Sequence, residues 1–182
     1  MPNVKGTALL PAVKLLRKNR ATVEKYLDDV ARKMCDQRIL PGSWYPMELA
    51  DPVMLAVTKF IGGSTRSAME VIGSFLASND LRGVYSNLVY PQDVAKTLRR
   101  ATLLWRNYFD TGVLHYDQPN PRKQEALYRL EECLEKIPYC NGIMGMAKVA
   151  VDLAGNGARA DVLERVCILR GDRHCEFNVE WH

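Results

Sequence analysis

Histidine is scarce in this sequence: His115, His174 and His182 are the only three in 182 residues. They are scattered, and none has the neighbour set of a catalytic base with an orienting partner. Long apolar runs are missing too. No stretch approaches the roughly 18 uninterrupted apolar residues of a membrane span. No apolar run follows a basic start, as it would in a signal peptide. The expected setting is therefore the cytoplasm, where thiols stay reduced. No glycine-rich dinucleotide fingerprint follows a strand, and Gly155-Asn156-Gly157 reads more simply as a helix stop. Charge of one sign is not concentrated. Lys and Arg number 25 against 21 Asp and Glu, a net charge of +4. Lys14, Arg17, Lys18 and Arg20 form the densest basic group, which reads as a solvated helix end rather than a phosphate-tracking face. Nucleic acid is thus excluded as a partner, and the sequence gives little support to an enzyme. Repeats, low-complexity tracts and long linkers are also absent, so residues 1–182 are expected to form one domain.

What the sequence does have is an apolar share of 47%, enough for a core without staples. Val23, Tyr26, Leu27, Val30 and Met34 recur at helical spacing and predict one helix ending near Cys35. Leu40-Pro41-Gly42-Ser43-Trp44-Tyr45-Pro46 reads as a fixed turn. A second helix is expected within Met47 to Ile61, stopped by Gly62-Gly63. A third is capped by Ser64 or Thr65. A fourth begins at Pro91, carries Val94, Leu98, Ala101, Trp105 and Tyr108 on one face, and ends at Gly112. The pattern then changes. Val113 to Tyr116 and Glu125 to Cys133 read as strands, and Asn141 to Leu153 as an apolar helix. Val162 to Leu169 reads as a strand before a turn at Arg170-Gly171-Asp172-Arg173. Cys175, Phe177, Val179 and Trp181 alternate with polar residues, the clearest strand signal in the chain. The expected fold class is mixed α+β: a helical N-terminal half, then a small antiparallel sheet with a helix across it.

The five cysteines are Cys35, Cys133, Cys140, Cys167 and Cys175. In a reducing compartment they are core residues, reactive groups or metal ligands before they are disulfides. A hairpin folded about Gly171 sets Cys167 and Cys175 side by side, which is half of a tetrahedral zinc site. Cys140 could add a third donor and Glu164 a fourth. Glu164 lies three residues from Cys167, so a regular strand puts the two on opposite faces, and a bulge is needed to join them at one metal. Two cysteines in a hairpin can equally be packed core.

The stretch Glu164-Arg165-Val166-Cys167-Ile168-Leu169-Arg170-Gly171-Asp172-Arg173-His174-Cys175-Glu176-Phe177-Asn178-Val179 resembles the end of the V4R (4-vinyl reductase) domain. Cys140-Asn141-Gly142-Ile143-Met144-Gly145 is similar to the Cys- and Gly-bearing helix before that hairpin. Over nearly its full length the chain also resembles a myxobacterial, hence bacterial, paralogous family of unknown function related to V4R. That likeness rests on Lys5-Gly6-Thr7-Ala8-Leu9-Leu10, on Leu40 to Pro46 and on Leu104-Trp105-Arg106-Asn107-Tyr108-Phe109-Asp110-Thr111-Gly112. The V4R resemblance implies a fold shared with haem nitric-oxide-binding domains and with a vesicle-tethering subunit family. It implies a homodimer. It also implies a structural zinc held by Cys140, Glu164, Cys167 and Cys175, beside a buried pocket for an aromatic effector.

The leading expectation is a sensory module holding a hydrophobic small molecule, read out by a downstream signalling protein. Trp44, Tyr45, Trp105, Tyr108, Phe109 and Met144 are the candidate pocket lining, although aromatics at helical spacing are commonly core. The alternatives are a ligand-free dimeric scaffold, a tetrapyrrole-related reductase, and a haem sensor. The last needs an axial ligand, for which His115 is the one candidate near a helix–sheet junction.

Overall fold

The computed structural model describes residues 2–133 and 136–182. The chain divides into two compact units, Met1–Ala68 with Asn107–Thr111, and Met69–Arg106 with Gly112–His182. The class is α+β, as the alternation of patterns implies. Among the described residues, no helix is long and apolar enough to cross a membrane.

The first unit begins with β1 (Asn3–Lys5) and α1 (Gly6–Lys18), followed by α2 (Arg20–Val23), α3 (Asp29–Asp36), β2 (Trp44–Pro46) and α4 (Met47–Ile61). Strand β1 pairs antiparallel with β2, setting Val4 opposite Tyr45. Asn3 ties this ribbon to the 107–111 segment: its backbone N–H and its Nδ2 each donate to the Asp110 carboxylate at 2.6 Å. The 40–46 segment does turn at Pro41–Ser43, but its aromatic half is the strand β2. Its polar groups are spent on α1, where Gly6 N donates to Ser43 O and Thr7 N to Pro41 O. The single helix expected from Val23 to Met34 is two. Leu27 turns extended, and Asp28 accepts from Ala31 N at 2.8 Å, capping a fresh helix. Arg17 then donates to the carbonyls of Cys35 and Gln37 at the far end of α3. Helix α4 has the expected bounds, and Gly62 follows it at a φ of 84°.

Helix α5 (Thr65–Arg82) starts where expected, with Ser64 Oγ accepting from Ser67 N. Helix α6 (Val94–Tyr108) starts three residues after Pro91, because Asp93 supplies the cap by accepting from Lys96 N. Most of α5 and α6 belongs to the second unit. There they join a four-stranded antiparallel sheet of β3 (Val113–Asp117), β4 (Glu125–Glu131), β5 (Ala160–Val166) and β6 (Cys175–Trp181), in the order β3-β4-β6-β5. Helix α7 (Gly142–Ala154) lies across β5 and β6. The inner face of the sheet carries Ala126, Tyr128, Leu130, Cys175, Phe177 and Val179, all buried. Alternate residues point outward, as a half-buried sheet requires.

Tyr128 fixes α6 to this face. Its hydroxyl is fully buried and donates to Leu98 O at 2.6 Å. Burial pushes its ionisation well above the ordinary tyrosine value. A raised folded value means this stability is present below the unfolded tyrosine value of about 10 and is lost as pH rises through the folded one. Tyr128→Phe should therefore cost roughly 1 kcal/mol at pH 7. That deficit should shrink when urea midpoints are compared at pH 11, because only the wild type must keep this phenol protonated to fold. A deficit that grows with pH would contradict the assignment.

Candidate functional site

The hairpin between β5 and β6 holds the densest chemistry in the second unit. After β5 the chain makes a 3-10 turn, Ile168–Arg170, and Gly171 adopts a φ of 93° that only glycine takes readily. Asp172 Oδ2 accepts from Cys167 N at 2.7 Å and closes the loop. Cys167 and Cys175 thus meet, with their sulfurs 3.9 Å apart. Cys140, in the 3-10 turn that leads into α7, brings its sulfur within 3.9 Å of Cys167. The three sulfurs lie within 4.8 Å of one another, and none of the three residues is solvent-accessible.

A tetrahedral zinc with Zn–S bonds of about 2.3 Å sets its sulfurs about 3.8 Å apart. Ordinary sulfur contact is similar, so distance alone does not separate ligands from core. The backbone does. Ile168 N donates to Cys175 Sγ at 3.4 Å, and Leu169 N donates to the Cys167 sulfur. Amide donors aimed at sulfur stabilise thiolates, the form that binds metal. Hydrogen bonds from Cys133 and then Cys140 pull the Cys175 thiol well below its ordinary range, against the opposing effect of burial. Burial pushes Cys167 up, and the charges of Cys175 and Glu164 add to this. Cys35, by contrast, lies in the first unit as an ordinary buried thiol raised chiefly by burial.

Glu164 stands beside this cluster. The bulge that its placement demands is present, as a register shift between Glu164 and Val166. Its carboxylate is engaged elsewhere: Oε1 accepts from Asn141 Nδ2 at 3.2 Å, and Oε2 from Arg170 at 3.0 Å. Asn141 is itself buried. Its Nδ2 also donates to Met144 Sδ, while its Oδ1 finds no donor among the described residues. A buried acceptor without a donor carries a desolvation cost of about 1–3 kcal/mol. Sequence reasoning missed Asn141 because an asparagine ahead of a helix reads as a cap, and here its side chain caps nothing.

The six expected pocket residues divide between the units. In the first, Trp44 is 43% exposed beneath Lys5 Nζ, and Tyr45 accepts from Leu40 N. Tyr108 and Phe109 are buried there, edge to face at 6.5 Å. In the second, Trp105 is buried and Met144 touches Asn141. Two open clefts lie on the second unit. One of about 250 Å3 is lined by His115, Asp117, Leu127, Arg129 and Glu131. Another of about 430 Å3 includes Asp93, Arg122, Lys123 and Trp181. Neither is lined by any of the six.

All three histidines stand beside carboxylates at the sheet. His115 is 3.6 Å from Glu131, His174 is 3.6 Å from Glu176, and His182 is 4.0 Å from Asp161. His115 lies on β3, His174 just before β6 and His182 just after it, and none of the three lies on a helix.

No family model matches the chain, and no curated protein matches it. Solved structures do. An H-NOX protein from S. oneidensis in its Fe(II)NO ligation state has a TM-score of 0.69 at 15% identity, over 98% of this chain and 99% of that one. An unliganded Fe(II) H-NOX protein from K. algicida has a TM-score of 0.70 at 8% identity, over 98% and 96%. A point mutant of T. tengcongensis H-NOX has a TM-score of 0.66 at 12% identity, over 97% of each chain. The chain therefore has an H-NOX-like fold. At such identity the likeness speaks to fold and not to chemistry.

Proposed function

We propose that this protein is a small-molecule-binding sensory module whose sheet is braced by a metal ion of the zinc class at Cys140, Cys167 and Cys175. The observation that carries the reading is the junction at the foot of α7. There a buried thiol cluster adjoins a buried acceptor, Asn141 Oδ1, that lacks a donor among the described residues. An apolar or aromatic ligand bearing one hydroxyl or N–H would satisfy that oxygen and rest against Met144. Ligand pockets of this kind are mostly apolar with few polar anchors, and Asn141 Oδ1 would be the anchor. The metal would fix the hairpin and the turn that carries Asn141. Ligand binding would then favour one conformation over another, and a partner protein would read the difference.

A haem sensor is the reading that the fold neighbours favour, and the residues present do not fit it. The histidines pair with carboxylates around the sheet, and three buried thiols converge on one another. A dimeric scaffold is favoured by one feature, Phe75 and Val71 exposed one turn apart on α5.

Native mass spectrometry of tag-free protein, with metal analysis and a visible spectrum of the same sample, tests these readings together. The expected result is one zinc-sized mass per chain, a colourless protein, and an organic mass that is lost in Asn141→Leu. A Soret band would replace the proposal with the haem reading. Metal-free, ligand-free dimers would replace it with the scaffold.

A further inference from the structure

We propose that Cys133 is the fourth donor of the cluster, so that the site takes a zinc-class divalent ion in an all-thiolate set of Cys133, Cys140, Cys167 and Cys175. This rests on the reading of the three converging thiols as a metal site, and it replaces Glu164 as the fourth ligand.

The backbone of β4 shows why Cys133 faces the cluster. On β4 the even-numbered residues Ala126, Tyr128 and Leu130 are buried, so regular alternation would bury 132 and expose 133. The opposite occurs: Glu132 is exposed and Cys133 is buried. The phase changes at Glu132, which adopts a left-handed φ of 55°. A non-glycine residue there costs about 1 kcal/mol or more, and such strain persists where the surroundings over-determine it. Here it turns the Cys133 thiol onto Cys175, to which it is hydrogen-bonded. Cys175 is paired with Leu130 on the neighbouring strand, so the end of β4 passes directly alongside the cluster. Gly112 makes room for this approach. A Cβ there would stand 3.1 Å from Cys133 Cβ, and a φ of 77° excludes most other residues in any case.

The competing donor is less available. Both carboxylate oxygens of Glu164 are engaged, one by Asn141 and one by Arg170. Ligation through Glu164 would break its hydrogen bond with Asn141 or its ion pair with Arg170, whereas Cys133 already meets Cys175 and would draw its sulfur in towards the other three, which lie within 4.8 Å of one another. Closed structural zinc sites are built from four cysteine or histidine donors, and a four-cysteine set is one of the common forms. The burial of all four cysteines leaves no open position for substrate.

The test loads the full-length reduced protein with cobalt(II), whose sulfur-to-metal charge-transfer absorption counts thiolates. Cys133→Ser should reduce that band by about a quarter relative to a four-thiolate set. It should weaken zinc binding by more than the 10–100-fold typical of losing an outer-shell partner. Glu164→Gln should leave the band intact. X-ray absorption of the unmutated zinc protein gives the same answer without relying on a variant's folding, since four sulfurs at about 2.3 Å are expected. Three sulfurs and one oxygen at about 2.0–2.2 Å, with metal lost in Glu164→Gln, would overturn the Cys133 assignment and leave the metal site standing. Failure of the wild type to take up either metal would overturn both.

Discussion

Replacing Cys175 by Ala should abolish stoichiometric zinc retention and lower the thermal midpoint of the protein by about 10 °C. The size follows from the site. A structural zinc contributes folding free energy directly, because its ligands are not gathered in the unfolded chain. Here it would add to an existing core, so we expect about 3–5 kcal/mol rather than the 10 or more seen in peptides that have no other core. At 2–4 °C per kcal/mol for a chain of this size, that gives the stated shift. Packing alone predicts much less. Truncating one buried thiol to methyl removes a single heavy atom and should cost about 1 kcal/mol. Cys35→Ala supplies that baseline, since Cys35 is also buried and belongs to the first unit. Calorimetry with and without a chelator separates the cases. A wild type whose midpoint ignores the chelator, and a Cys175→Ala that behaves like Cys35→Ala, would mean that the cluster is packed sulfur.

Gly145→Ala should destabilise the second unit by about 3 kcal/mol, at the upper end of what overpacking costs. Helices α5 and α7 cross here at backbone contact. A Cβ on Gly145 would lie 2.1 Å from Glu70 O and 2.5 Å from Ser74 N. One on Gly73 would lie 2.1 Å from Gly142 O. Backbone cannot swing aside as a side chain can, so the helices must separate, and the Lys148–Glu70 ion pair at 2.6 Å would be stretched with them. Gly142→Ala is the control. Its Cβ would meet nothing closer than 3.7 Å, so helix propensity should make it neutral or stabilising by up to about 1 kcal/mol. Urea midpoints of the alanine variants at 73, 142 and 145 give the comparison. Equal effects at 142 and 145 would show that the crossing is looser than described.

Helix α4 and strand β6 were legible because each bears a strong period and a clean stop: Gly62-Gly63 after the helix, and strict alternation along the strand. Helix α1 was not legible, since Pro11 sits inside it and Gly6 opens it without a capping side chain. The break at Leu27 was hidden because its apolar stripe stays in phase across Asp28. At the cluster, the spacing of Cys167 and Cys175 about Gly171 was readable, as hairpin geometry is local. Cys140 was a candidate third donor on residue type, but nothing local in the sequence fixes its arrival beside that hairpin. Cys133 was invisible in this role, because strand alternation points it away from the core and only a left-handed Glu132 reverses that. The bound of β4 at Glu131, two residues short of expectation, is the same event seen from the strand. The pocket residues were least legible: an aromatic at helical spacing gives the same pattern whether it lines a cavity or fills one.

Strand β6 is hydrogen-bonded on both sides, by β4 and by β5, yet it follows both in the chain. During synthesis, β5 therefore emerges with no strand to pair with, and β4 has only β3. The apolar inner faces of both wait until residues 175–181 leave the ribosome. Most of the sheet is then completed in one late step, by the segment whose first residue is also the last of the clustered cysteines to appear. Non-local pairing of this kind is slow and leaves strand edges open meanwhile. Chains halted between Val166 and Cys175 should be the ones that a cell's chaperones hold longest.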